Sequence, residues 1–87
     1  MEILFTENFK KDYKKLSSKT QKQVKDKLRI MIRNPKHSSL RTKKIKGSKE
    51  SIFECSINMG IRMTWQYANQ DILLRAIGKH DKTLNNP

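Results

Sequence analysis

Apolar positions along the chain change their spacing from one stretch to the next, and the changes divide it into elements. Glu2 to Phe5 carries the short apolar run Ile3, Leu4, Phe5 before a polar break, which predicts a brief strand. Thr6 suits the cap of a following helix, with Glu7 set against the positive end of its dipole. Phe9, Tyr13 and Leu16 then recur at i, i+4 and i+7, one helix face, while Lys10, Lys11, Lys14 and Lys15 cover the other side. Ser17 and Ser18 interrupt this helix, and Ser18 with Gln21 fits a capping box for a second one. Val24, Leu28, Met31 and Ile32 form its apolar stripe. Asn34-Pro35 ends it, because the residue before proline avoids helical angles. Two basic amphipathic helices joined by a tight turn make an αα-hairpin.

From Lys36 to Glu50 the chain is polar, with Leu40 and Ile45 as its large apolar anchors. This predicts an extended loop with room for a short strand near Lys43 to Lys46, closed at Gly47-Ser48. Beyond it the period becomes 2. Phe53, Cys55 and Ile57 alternate with Glu54, Ser56 and Asn58; Met59-Gly60 suits a tight turn; Ile61, Met63, Trp65 and Tyr67 alternate with Arg62, Thr64 and Gln66. After a second turn at Ala68 to Asp71, Ile72 to Ile77 is apolar except for Arg75, the pattern of a strand covered on both faces. The expected order is β-α-α-β-β-β in one α+β domain spanning residues 1–87, with the helix pair on one face of a mainly antiparallel sheet. Alternation turns Phe53, Cys55, Ile57, Ile61, Met63 and Trp65 toward the helices. It leaves Glu54, Ser56, Arg62, Thr64 and Gln66 on an exposed polar face bordered by the lysine-rich loop.

Charge narrows the partners. Twenty Lys and Arg oppose eight Asp and Glu, a formal net charge of +12 on 87 residues. So much like charge on a small fold repels itself, and a polyanion or an acidic protein relieves it. Nucleic acid is the first expectation, an acidic protein the second and a membrane surface the third; the bland alternative is a merely solubilising surface. The single cysteine, Cys55, excludes an internal disulfide, and a thiolate metal site would need further ligands. The stretch MEILFTENFKKD is too short and too charged for a signal peptide, and no run nears the roughly 18 apolar residues of a membrane span. A cytoplasmic chain with no metal, no cofactor and no membrane partner is expected.

Five segments carry a resemblance: Arg33 to His37 (RNPKH), Lys43 to Gly47 (KKIKG), Phe53 to Ile57 (FECSI), Gly60 to Trp65 (GIRMTW) and Leu74 to Asp81 (LRAIGKHD). In this order the chain resembles toxins of the RelE/ParE superfamily from bacterial toxin–antitoxin systems. Those proteins carry a basic K-L-K-G stretch, a G-x-R-hydrophobic strand and a closing G-x-H or G-x-R. The resemblance implies a curved sheet with two N-terminal helices on one side and, in the RNA-cleaving branch, a site on the opposite, concave side. It also implies a cognate antitoxin, an oligomeric state set by the antitoxin complex, and a ribosome-dependent, metal-independent mRNA endonuclease.

That reaction needs a base for the 2′-OH, cations for the phosphorane charge and an acid for the leaving 5′-oxygen. Arg62 lies on the polar side of an otherwise apolar strand, its planar fork suits two phosphate oxygens, and the family pattern places an active-site arginine there. His80, after Gly78-Lys79, can donate or accept a proton, and the G-x-H branch implicates its equivalent. Asp81 can orient it. Lys44 and Lys46 share parity and are candidates for a base of lowered pKa. Arg41, Lys43, Lys49, Arg75 and Lys79 are the candidate substrate-binding cations. Glu54 fits an ion pair or a base. For each of these an ordinary solvated side chain is the alternative. Lys43 and Ser56 stand where some relatives carry histidines, and the tail lacks the tyrosine of others. Two further functions therefore stay open: a gyrase-inhibiting toxin like ParE, and a non-catalytic RNA-binding domain.

Overall fold

A computed structural model describes residues 1–47, 51–80 and 83. The elements are β1 (Ile3–Phe5), α1 (Glu7–Lys14), α2 (Ser18–Arg33), a 3-10 turn (Ser38–Leu40), β2 (Lys43–Lys44), β3 (Ile52–Ser56), β4 (Ile61–Ala68) and β5 (Asp71–Lys79). They form an α+β fold with a five-stranded sheet ordered β1-β5-β4-β3-β2. The sheet is mixed: β2 to β5 run antiparallel, and β1 lies parallel to β5 with Ile3 opposite Ile72 and Phe5 opposite Leu74.

Thr6 caps α1 as its sequence predicts, the hydroxyl accepting from Phe9 N at 3.0 Å. The cap of α2 is Ser17 rather than Ser18: its Oγ accepts from Thr20 N at 3.2 Å. Gln21 closes no capping box, because its amide donates to Tyr13 O at 3.0 Å and ties the two helices together. The stripe of α2 is also shifted: Val24 and Met31 are buried and Ile30 packs against the core, while Ile32 is 51% exposed. Asn34 ends α2 in an extended conformation. The expected loop from Lys36 is pinned by its 3-10 turn, which buries Leu40 completely.

The core lies between the helices and one sheet face: Phe9, Val24, Met31 and Leu40 meet Cys55, Ile57, Met63, Trp65, Ile72, Leu74 and Ile77. Two of these residues in β5 are odd-and-even mismatched, and the β4–β5 register explains it. Thr64 pairs with Ala76 but Trp65 with Leu74, so Arg75 is an extra residue, a β-bulge. Ile72 and Leu74 face the helices before the bulge and Ile77 after it. The apolar run of this strand therefore reflects two things: a change of parity at Arg75, and cover on the outer face too, where Ala76 is buried.

The edge of β5 needs partners where β1 stops. Thr6 N donates to Leu74 O at 3.1 Å. The Thr6 hydroxyl and the Asn8 amide donate to Arg75 O at 2.9 and 3.3 Å, and the Asp12 carboxylate accepts from Ile77 N at 3.4 Å. Thr6 and the side chains of Asn8 and Asp12 in α1 thus cover the strand edge in place of a strand. Thr6→Ala removes both the helix cap and a donor to Arg75 O. It should lower the free energy of urea unfolding by about 1–2 kcal/mol, with Thr6→Ser much closer to wild type.

Candidate nucleic-acid interface

The sheet face away from the helices is organised by register. One row runs Ser56, Arg62, Gly78; the next runs Lys43, Glu54, Thr64, Ala76. Gln66 lies further along, and the Arg75 guanidinium donates to its Oε1 from the bulge. His80 follows β5 two residues past Gly78, the register partner of Arg62. Topology thus brings Arg62, Arg75, Lys43 and Glu54 to one face; His80 lies past the end of β5 and is already helical, so strand register does not set its face.

That face is not the exposed polar surface that alternation predicts. Glu54, Thr64, Ile52 and Ala76 are all buried, and Ile52 and Ala76 stand apart from the helix-side core. A buried residue, Thr83, contributes here: a Cβ on Gly78 would lie 3.3 Å from its Oγ1, so glycine admits the close approach. The polar groups therefore lie in a partly closed surface, where charge acts through less water than on an open sheet.

Each side chain is held differently. Arg62 is half-buried, and its Nη1 donates to Asn58 O at 2.6 Å, Met59 O at 3.2 Å and Ile61 O at 3.3 Å. The turn between β3 and β4 makes these carbonyls available: Asn58 Oδ1 accepts from the Gly60 and Ile61 amides at 2.9 Å each and keeps the turn tight. Glu54 pairs with Lys43, not with Arg62, at 3.9 Å; the lysine side chain is 70% exposed, so the pair is weak. The His80 Nδ1 is buried and has no hydrogen-bond partner among the described residues. Asp81, the orienting carboxylate expected from the sequence, lies outside the described residues, as does Lys49.

Other candidates fall elsewhere. Lys44 pairs with Phe53, a residue of the helix-side cluster, so it does not share the face of Arg62; the antiparallel register gives that place to Lys43. Lys46 is exposed in the turn that includes Gly47. Lys79 pairs with Ile61 and borders a cleft with Asp12, Lys15 and Thr20, on the helix side. Arg41 follows the 3-10 turn in a left-handed conformation, φ 49°. Among the described residues no group of three or more His, Cys, Asp or Glu could hold a metal ion, and no helix is long and apolar enough to cross a membrane.

Pattern reading missed a second feature. Phe5, Phe9, Tyr13 and Leu28 line an apolar groove of about 540 Å³ beside the helix pair, and Lys10, Lys11, Lys14 and Lys25 rim it. The lysines were visible as helix faces. The groove between them depends on how β1 and the two helices pack, and Phe5 is left 46% exposed within it.

No family model matches the sequence, and no curated protein matches it. Comparison with solved structures gives the fold. The chain superimposes on a YoeB/ParE toxin from Agrobacterium tumefaciens with a TM-score of 0.78 at 16% identity, covering 92% of this chain and 99% of that one. YafQ from E. coli strain BL21(DE3) gives 0.78 at 13% identity, covering 93% and 94%. A chain of the intact E. coli RelBE toxin–antitoxin complex gives 0.70 at 22% identity, covering 88% and 93%. The architecture is an α+β sheet with two helices on one face and a cationic opposite face. Its fold is that of the RelE/ParE toxins.

Cys55 lies beneath this face in the core. Burial pushes its thiol up to about 12, with Glu54 adding to the rise and Lys27 and Arg62 opposing it. The folded state therefore favours the protonated thiol. This contribution to stability is whole below the unfolded-state pKa and is lost as pH rises from there toward 12. Ellman's reagent at pH 8 should modify the native chain roughly a hundredfold or more slowly than the urea-unfolded chain. Equal rates would mean that the thiol is accessible.

Proposed function

We propose that this protein is the toxin of a toxin–antitoxin pair and that it cleaves RNA on the sheet face opposite its helices, as a ribosome-dependent mRNA endonuclease. The observation that carries this reading is the gathering of Arg62, Arg75, Lys43 and Glu54 on that face of a RelE/ParE fold; His80 joins them through the resemblance in sequence. The ribosome and messenger as targets rest on the resemblance in sequence.

In this reading the 2′-oxygen attacks the adjacent phosphorus and the bond to the 5′-oxygen breaks, leaving a 2′,3′-cyclic phosphate and a 5′-hydroxyl. Arg62, fixed by backbone carbonyls, stabilises the charge on the phosphorane oxygens. His80 transfers a proton, as acid to the leaving oxygen or as base to the 2′-OH. Lys43 and Glu54 are the further titratable pair on this face, with the carboxylate able to take the proton that His80 does not. Lys44 and Lys46, candidates for a base, serve as electrostatic contacts at the sheet edge. A gyrase-inhibiting toxin would share the fold but has no use for a proton-transferring residue such as His80.

The antitoxin suits the apolar groove at Phe5, Phe9, Tyr13 and Leu28. Its lysine rim matches an amphipathic segment with acidic flanks, which would order on binding.

Induced expression of wild type should arrest growth with new 5′ ends inside translated messages. Arg62→Ala and His80→Ala should each fold and reduce cutting by about 10²–10⁴. Arrest with intact messages and a DNA-damage response would transfer the protein to the gyrase reading. Replacing Lys14 and Lys25 together by Glu should weaken the antitoxin complex by about tenfold or more while leaving growth arrest intact. Isothermal titration against the product of the adjacent gene measures this.

A further inference from the structure

Where the 57–60 turn joins β3 to β4, three cations from three elements border one cleft of about 530 Å³: Lys27 of α2, Arg41 after the 3-10 turn, and Arg62 of β4. Ser38, Ser39, Ser56 and Asn58 complete its polar wall, and no Asp or Glu is among the described residues that line it.

The way the cations are held matters more than their number. Lys27 Nζ donates to Ser39 O at 3.1 Å, and Arg62 Nη1 donates to the carbonyls of the turn. A carboxylate would orient a cation and cancel its charge; a carbonyl orients it and leaves the charge uncancelled. The ion pairs among the described residues, Lys10–Glu7, Arg29–Asp26 and Lys43–Glu54, all lie outside this cleft. Arg41 adds a local cost: it holds φ 49° and ψ 46°, a region that glycine occupies freely and other residues do not. That conformation caps the 3-10 turn, with the Arg41 amide donating to Ser38 O at 3.2 Å, and sets the residue at the cleft.

We propose that this cleft is a second phosphate site, which holds a backbone phosphate of the RNA strand at a nucleotide away from the scissile bond. The proposal rests on the RNA-cleaving reading and extends it to Lys27 and Arg41. Arg62 links the two places: it pairs with Ser56 and Gly78 on the outer face and also lines the cleft. A strand leaving the outer face around the 57–60 turn enters the cleft directly. Met59 stands at the lip, 96% exposed, and offers a polarisable side chain to a base. An acidic protein is the weaker occupant, since the cleft wall is mainly polar and the apolar anchoring surface lies in the separate groove at Phe5 and Phe9.

The test uses the full chain and a short, fluorescent 2′-O-methyl oligoribonucleotide, which lacks the nucleophile and so reports binding without cleavage. Anisotropy is read across a salt series for wild type and for Lys27→Gln with Arg41→Gly. Glycine suits the left-handed position, and thermal unfolding checks that the double variant is folded. The expected result is about tenfold weaker binding at low salt and a log–log salt slope shallower by about one. Lys27→Arg with Arg41→Lys should restore both. Unchanged affinity and slope in the folded double variant, with Arg62→Ala still impaired, would overturn the second site and leave the RNA-cleaving reading standing. Failure of wild type to bind the probe at low salt would also overturn the second site, while the cleavage reading, which acts on the ribosome, would still be decided by the mapping of message 5′ ends. Competition by polyglutamate equal to that by the probe at matched charge would reassign the cleft to an acidic protein.

Discussion

An extra residue in the last strand decides which side chains meet on each face of the sheet. With Arg75 bulged, Ile72 and Leu74 pack against the helices from one parity and Ile77 from the other. Without that slip, an unbroken alternation would turn Ile77 outward and bring Ala76 and Gly78 to the core side. The outer face would then lose the glycine that accepts Thr83 and lies opposite Arg62. Bulges of this kind re-aim side chains at functional surfaces, and here the bulged residue also joins the outer face through Gln66. The same strand depends on α1 for its edge, so helix, bulge and outer face form one cooperative arrangement.

The excess of positive charge is distributed among different tasks. Lysines on α1 and α2 rim an apolar groove, a combination suited to an acidic amphipathic partner. Arg62, Arg75 and Lys43 gather around a partly closed sheet face. Lys43 and Lys44 also form a two-residue edge strand, and charged side chains on so short an edge discourage pairing with another sheet. A net charge of +12 looks wasteful for the fold alone. It is divided instead among the rim of an apolar groove, a partly closed sheet face and a short strand edge.

The helices and the order of strands were legible because their signals are local: a cap at Thr6, a 3.6-residue stripe through Phe9 and Val24, a proline stop at Pro35, and the alternation of β3 and β4. What escaped depended on pairing across the chain. The bulge exists only in the register between β4 and β5, so the continuous apolar run of β5 carries no sign of it. The parallel place of β1 is likewise a tertiary choice. In the candidate site, parity put Arg62 on the correct face, and the resemblance singled out His80. Parity alone could not tell Lys43 from Lys44, because that depends on which residue of β2 stands opposite Glu54. Nor could it show Glu54 and Thr64 buried, since alternation tells which face a residue takes and not how far that face is covered.

Arg62 takes its direction from the carbonyl oxygens of Asn58, Met59 and Ile61. Every amino acid supplies a carbonyl, so the identity of most residues in that turn is free to drift while the arginine stays aimed. Insertion or deletion of a single residue would not be tolerated in the same way, because it would move all three acceptors together. Over long divergence this corner should keep its length, its arginine and the side-chain acceptor at Asn58 that holds the turn tight. Folds this alike at 13–22% identity are what such a rule permits.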